Sequence, residues 1–349
     1  MYFGSDNTGP VHPQIMQALN EANTGFAPSY GTDPLMDQAR TRLREIFDAP
    51  KAEVFLVPTG TAANCLALAC LCPPTHTIFC SPNAHIHEDE CNAPEFYTGG
   101  AKLTLVGDTD KLTPDTLRRA IENEGTRGVH GPQRGPLSLT QATEKGQVYT
   151  PGEIADLAQV ARDYAVPVHM DGARFANALV SLNSSAADLT WRAGVDALSF
   201  GGTKNGCMGV EAVVLFNPDK AWEFELRRKR GAHLFSKHRY LSAQMAGYLA
   251  NDLWLTTARQ ANDNMAYLTQ GLARLPDVQF KYDTPVNIAF VDFPRSMLRR
   301  LQDAGAIFNA ATDDLTKGAP DDQITTRLVT DWSLPKAQMD QFLKVAANP

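Results

Sequence analysis

Residues 169–178 read HMDGARFANA and follow the apolar run YAVPV at 164–168. The run has the length and composition of a buried strand. It leaves Asp171 at the strand's carboxyl end and Arg174 at the start of the next helical pattern. Burying a carboxylate costs several kcal/mol unless something cationic meets it. The chain therefore has to supply a cation for Asp171 or bind one.

Working outward, extended and helical patterns alternate from residue 33 to about 216. Strand candidates are EVFLV (53–57), TIFC (77–80), KLTLVG (102–107), PLSLTQ (136–141), VPVHMD (166–171) and ALSFGG (197–202). Helical patterns lie between them. TPDTLRRAIENE (113–124) and TPGEIADLAQVARDY (150–164) each open with Thr before Pro and an acidic residue in the first turn, which is N-terminal helix chemistry. This alternation predicts an α/β fold with a large, mostly parallel sheet covered on both faces. From 220 to 275 the sequence reads as long, nearly unbroken helix. NIAFVDF (287–293), TRLVT (326–330) and a final helical pattern at 335–347 then predict a smaller α+β domain, with domains at 1–246 and 247–349. The polar stretch TDDLTKGAPDDQ (312–323) reads as a surface loop.

Bulk properties narrow the function. The chain has 349 residues, 43% hydrophobic and 20% charged, with a net charge of −7. That balance argues against nucleic acid as a partner, and the basic run RRKR (227–230) reads as a solvated or intersubunit helix face. No apolar run reaches bilayer length and no signal peptide is apparent, so no membrane is expected. Three of the six cysteines lie in the apolar stretch CLALACLC, which suits reduced thiols in the cytoplasm better than disulfides. No paired C-x-x-C spacing suggests zinc. His85 and His87 in NAHIHEDE (83–90) would share a face if that stretch were a strand, but no metal is assigned there.

Ligands of open α/β sheets collect beyond the carboxyl ends of the strands, and three candidate features fall there. In VPTGTAANCLALA (57–69), Gly60 and Thr61 stand where a strand gives way to a helix, an arrangement whose free N–H groups attract anions. In SFGGTKNGCMG (199–209), Lys204 sits in a glycine-rich turn after a buried strand, without phosphate-loop spacing. Asp171 is the third. Each alone has a plain reading: a capped helix start, a solvent-facing lysine, a buried helix-capping aspartate. Together they fit one ligand that carries an anionic group, an aldehyde for a lysine, and a cationic ring nitrogen for a carboxylate. Pyridoxal phosphate has all three.

The sequence resembles the low-specificity L-threonine aldolases, within the pyridoxal-phosphate enzymes of aspartate-aminotransferase fold type I. The resemblance rests on FGSDNTGPVHPQI (3–15), YGTDP (30–34), VPTGTAAN, NAHIHEDE, VHMDGARFANA, SFGGTKNG and TRLVT, in that order along nearly the whole chain. It implies that Lys204 joins the cofactor covalently, that Asp171 binds the ring nitrogen, and that Gly60, Thr61, Thr203 and a neighbour's Lys237 hold the phosphate. It implies that His85 stacks on the ring and serves as the base. Ser5, Tyr30, His87, Arg174 and Arg327 are implied around the amino-acid substrate, Arg174 also near the cofactor. The resemblance further implies a homo-oligomer, a dimer or a homotetramer, with sites shared between subunits. The reaction implied is retro-aldol cleavage of L-threonine or L-allo-threonine to glycine and acetaldehyde. The alternatives are a phenylserine aldolase, a β-eliminating lyase, and a catalytically silent cofactor-binding protein. One departure stands out: where many relatives carry a second active-site histidine, LTQATEKGQ (139–147) has Glu144.

Overall fold

Helices begin where the sequence supplies caps. Thr113 and Thr150 each accept the backbone N–H three residues on, and Thr116 and Glu153 reach back to the cap. The helix Gly60–Leu71 is buried from Ala62 to Cys70. It is apolar all round because it lies between two layers. One side packs on the sheet and the other on the helices Ala93–Thr98 and Ala221–Arg230.

The computed structural model describes residues 1–312 and 314–348. A seven-stranded sheet contains β1 (Glu53–Val57), β2 (His76–Cys80), β3 (Lys102–Leu105), β4 (Gln133–Thr140), β5 (Val168–Gly172), β6 (Ala197–Gly201) and β7 (Glu211–Leu215). Their order is β1-β7-β6-β5-β4-β2-β3. Strands β3, β2, β4, β5 and β6 run parallel, and β7 runs antiparallel to both β6 and β1. The expected strands are present. The alternation pattern missed β7, because it returns from β6 with only the short 3-10 turn Thr203–Asn205, and no α-helix, between. A second, antiparallel sheet holds β8 (Gln279–Phe280), β9 (Ile288–Pro294), β10 (Asn309–Ala310) and β11 (Gln323–Val329), in the order β10-β11-β9-β8.

The long helical stretch is broken twice. Helix Ala221–Arg230 ends before an irregular segment, helix Arg239–Leu249 follows, and Leu253–Leu272 comes after a short turn. Left-handed backbone at Ala232, Asn251 and Asp252 makes the breaks, and asparagine and aspartate tolerate that conformation. The chain's first residues join the second core. Phe3 lies 4.6 Å from the Phe342 ring, and its backbone pairs with Ile307 and Val329 at 2.8 Å. Within the loop expected at 312–323, Asp313 lies outside the described residues. No described helix is long and apolar enough to cross a membrane. All six cysteines are free, and only Cys91 is exposed.

Candidate active site

The carboxyl ends of β5 and β6 stand side by side, with Asp171 paired in register with Ser199. A Cβ on Gly201 would come within 2.3 Å of the Ala173 carbonyl oxygen. Glycine at 201 is thus what lets the two strand ends close together and brings the Lys204 turn beside Asp171. Asn205 anchors that turn by donating to the Tyr248 hydroxyl at 2.6 Å and to the Trp254 carbonyl at 2.8 Å. A cavity of about 250 Å³ opens between these elements, lined by Asn7, Gly60, Thr61, Asn64, His85, Glu90, Asp171, Thr203, Lys204 and Glu211 among others.

Asp171 is 4% exposed. Its Oδ2 accepts from Asn64 Nδ2 at 2.9 Å and its Oδ1 from the Ala173 N–H at 3.0 Å. Among the described residues no lysine or arginine forms an ion pair with it. Across the cavity, Thr59 caps the helix Gly60–Leu71 and takes the N–H of Ala62 at 3.2 Å and that of Ala63 at 3.1 Å. The N–H groups of Gly60 and Thr61 have no intrahelical acceptor. A Cβ at Gly60 would meet nothing within 4 Å, so the backbone there is open to the cavity.

Residues 85–88 form one helical turn, not a strand, so His85 and His87 do not share a face. His85 Nδ1 meets Glu90 Oε1 at 2.8 Å, whereas exposed His87 lies 3.5 Å from Glu88. The Glu90 hydrogen bond raises the His85 pKa above its usual 6.5. Burial opposes this, and Asp171, Glu90 and Glu144 reinforce it electrostatically. Glu211, buried at the start of β7, accepts from the Gly202 N–H at 2.8 Å, and burial pushes its carboxyl up to about 7.

Arg174 is buried and forks onto Asp6 through Nε and Nη2 at 2.7 and 2.9 Å. Arg327, on β11, donates to the Gly4 carbonyl at 3.2 Å. Burial and the charge of Arg174 pull the Arg327 pKa below its ordinary value, while Asp6, Glu144 and Asp89 act the other way. The two sheets thus bring both arginines close to one another and to Glu144. Ser5 caps the 3-10 turn Asp6–Thr8 and lines a separate cavity of about 180 Å³ with Tyr2 and Asp331. Tyr30 and Lys237 lie at an exposed edge and do not line the 250 Å³ cavity. The Tyr30 N–H donates to the Ser236 carbonyl at 3.1 Å, and Lys229 Nζ stands 4.9 Å from the Tyr30 ring.

This arrangement has relatives. The beta-eliminating lyase family matches residues 3–294. The chain belongs to that family. It is 40% identical over 87% of its length, and 87% of the other's, to a low specificity L-threonine aldolase of Pseudomonas aeruginosa. It is 38% identical, with the same coverage, to one from a Pseudomonas species. Among solved structures, a Leishmania major threonine aldolase superposes with a TM-score of 0.91 at 23% identity, covering 99% of this chain and 98% of that one. A Sphingomonas wittichii serine palmitoyltransferase superposes at 0.71 and 15%, covering 99% and 86%. The fold of this beta-eliminating lyase family member is therefore the α/β fold type I of the aspartate aminotransferases.

The family member's cavity fits pyridoxal phosphate on its own chemistry. A buried carboxylate lacking a basic side chain suits a protonated ring nitrogen. The open N–H groups at Gly60 and Thr61 suit a phosphate. A half-buried lysine amine faces the same space. Sequence reading missed Asn64, Glu90, Asn205 and Glu211. Glu90 lay inside NAHIHEDE and Asn205 inside GGTKNG, but nothing local marked either as buried. Asp6, next to Ser5, was legible only as one acidic residue among many.

Proposed function

We propose that this chain is a pyridoxal-phosphate lyase that cleaves the Cα–Cβ bond of β-hydroxy-α-amino acids, converting L-threonine or L-allo-threonine to glycine and acetaldehyde. The observation that carries the reading is the convergence of Lys204, Asp171 and His85 on one cavity whose wall is open backbone at Gly60. The names of the Pseudomonas relatives support it.

The chemistry the cofactor supplies when bound is an electron sink for the pair left by the broken Cα–Cβ bond. Every other task falls to side chains. Lys204 Nζ would hold the cofactor through its aldehyde. Asp171 keeps a proton on the ring nitrogen, with Asn64 and the Ala173 N–H fixing its orientation. Gly60, Thr61 and Thr203 receive the phosphate. His85 would lie against the ring, and it takes the β-hydroxyl proton, which requires its neutral form. Arg327 holds the substrate carboxylate, and Arg174 contributes the Nη1 that its grip on Asp6 leaves over. Ser5, in the turn that Arg174 holds through Asp6, and exposed His87 stand outside the 250 Å³ cavity and take no direct part in the step.

The oligomer belongs to the same proposal. Tyr30 and Lys237 act in a neighbour's site within a homotetramer. The exposed stretch 23–30, with Phe26 fully exposed, supports an edge that another copy covers. The free cysteines support a cytoplasmic setting.

The test is to incubate the purified protein with L-threonine, L-allo-threonine and L-phenylserine, scoring aldehyde, glycine, 2-oxo acid and ammonia. Equimolar glycine and acetaldehyde from either threonine isomer is expected. A 2-oxo acid with ammonia would replace the reading with β-elimination, benzaldehyde alone would make the chain a phenylserine aldolase, and no product would make it a silent binder.

A further inference from the structure

Glu90 is a buried carboxylate with no lysine or arginine against it among the described residues. It is 4% exposed and stands just past the turn that carries His85. Its Oε1 accepts from His85 Nδ1 at 2.8 Å and from Asn64 Nδ2 at 2.9 Å. Its Oε2 accepts from the Cys65 thiol at 3.7 Å. An ionised carboxylate only accepts, so the His85 hydrogen in this contact lies on Nδ1. In the neutral ring, Nε2 then carries the free lone pair.

Asn64 extends the arrangement. Its amide nitrogen donates to Glu90 on one side and to Asp171 Oδ2 on the other, both at 2.9 Å. One buried amide on the helix Gly60–Leu71 thus sets the spacing between the carboxylate behind His85 and the carboxylate at the end of β5. Turning Glu90 away from His85 would strip bonds from Asn64 and Cys65 as well. Such a carboxylate orients an imidazole and stabilises the imidazolium formed once a proton arrives.

Resting on the retro-aldol reading above, we infer that Glu90 is a positioning residue: it holds His85 with hydrogen on Nδ1 and Nε2 free to take the substrate's β-hydroxyl proton, and through Asn64 it ties that base to Asp171. The charged groups acting on His85 agree with this. Glu90 supplies the hydrogen bond, and Asp171 and Glu144 add negative field. On its own turn, Glu88 is engaged with His87.

The experiment follows the His85 ring in the full-length, cofactor-loaded protein carrying ¹⁵N-histidine, with His85→Asn assigning the signal. In the wild type, His85 above its pKa is expected to show a protonated Nδ1 and an unprotonated Nε2. In Glu90→Gln its pKa is expected to fall by about one unit or more, with the tautomers mixed. Threonine cleavage by Glu90→Gln should lose about 10- to 100-fold in kcat with KM nearly unchanged, and the acid limb of its pH–rate profile should move to lower pH. The double variant with His85→Asn should be no slower than His85→Asn alone, because Glu90 works through His85. A wild-type ring protonated on Nε2 would overturn the inference, and that result requires no variant to fold. An unchanged His85 titration in a folded Glu90→Gln protein would overturn it too, as would losses that multiply in the double variant. Absence of any threonine cleavage by the wild type would sink the retro-aldol reading, and with it the role of Glu90 in catalysis. The tautomer measurement judges the Glu90–His85 contact separately.

Discussion

Arg174 grips Asp6 through two hydrogen bonds at 2.7 and 2.9 Å, and both side chains are buried. The residues are 168 positions apart. Their contact clamps the chain's first turn over the end of β5. Asn287 adds a bond to Asp6 at 3.0 Å from the loop before β9, so three distant segments meet at one carboxylate.

Removing that carboxylate should be costly. Asp6→Ala leaves the buried Arg174 guanidinium uncompensated, and urea unfolding should show a loss of about 3–5 kcal/mol. Burial alone would raise the Asp6 pKa, but Arg174 and Lys204 reverse this and hold it below the ordinary 3.8. A depressed folded-state pKa means that the contribution is complete above about pH 4 and disappears as the pH falls through the lower, folded value. The acid limb of the wild-type stability curve should therefore flatten in Asp6→Ala. An unchanged limb would show that this pair does not carry it.

Lys204→Ala should abolish turnover and the yellow colour of the purified protein. Borohydride reduction of the wild type should fix the cofactor to the peptide containing Lys204. Mass-spectrometric recovery of the label on another lysine would move the covalent role elsewhere.

Asp171→Asn should keep the fold, because the amide oxygen can still accept one of the two donors, the Ala173 N–H or Asn64 Nδ2, at the cost of the other bond. It should lose at least ~10²-fold in kcat, the scale of one preorganised electrostatic contact. Near-normal turnover at normal cofactor content would remove the ring-nitrogen role.

His85→Asn should lower kcat on threonine by ~10²–10⁴-fold while keeping most of the bound chromophore, since a general base contributes on that scale. The His85 pKa is raised, so the neutral, proton-accepting form is reached only above 6.5, and kcat should rise with pH through that limb. His87→Asn is the control, being exposed and engaged with Glu88. A crippled His87→Asn beside an active His85→Asn would exchange the two assignments.

Mixing an inactive Lys204→Ala chain with an inactive Tyr30→Ala or Lys237→Ala chain should restore activity in hetero-oligomers if sites are shared. No recovery in verified mixed oligomers would assign each site to one chain.

Much of this protein is determined locally. The strand ending at Asp171, the glycine-rich turn at Lys204 and the cap before Gly60 are written in short stretches, because period, turn and cap depend on near neighbours. Their common place at the carboxyl ends of parallel strands follows from the α/β pattern. Other features have no local signature. Strand β7 carries no α-helix before it to announce its direction, and the breaks at Ala232 and Asn251 depend on packing. The partners that discipline the charges are likewise distant in sequence: Asp6 for Arg174, and Asn64 between Glu90 and Asp171. Whether a carboxylate is solvated or buried, and which donor meets it, is decided by what the folded chain stacks around it. Sequence named the groups that can do chemistry here, and the tertiary structure decided which of them are held, by what, and at what distance.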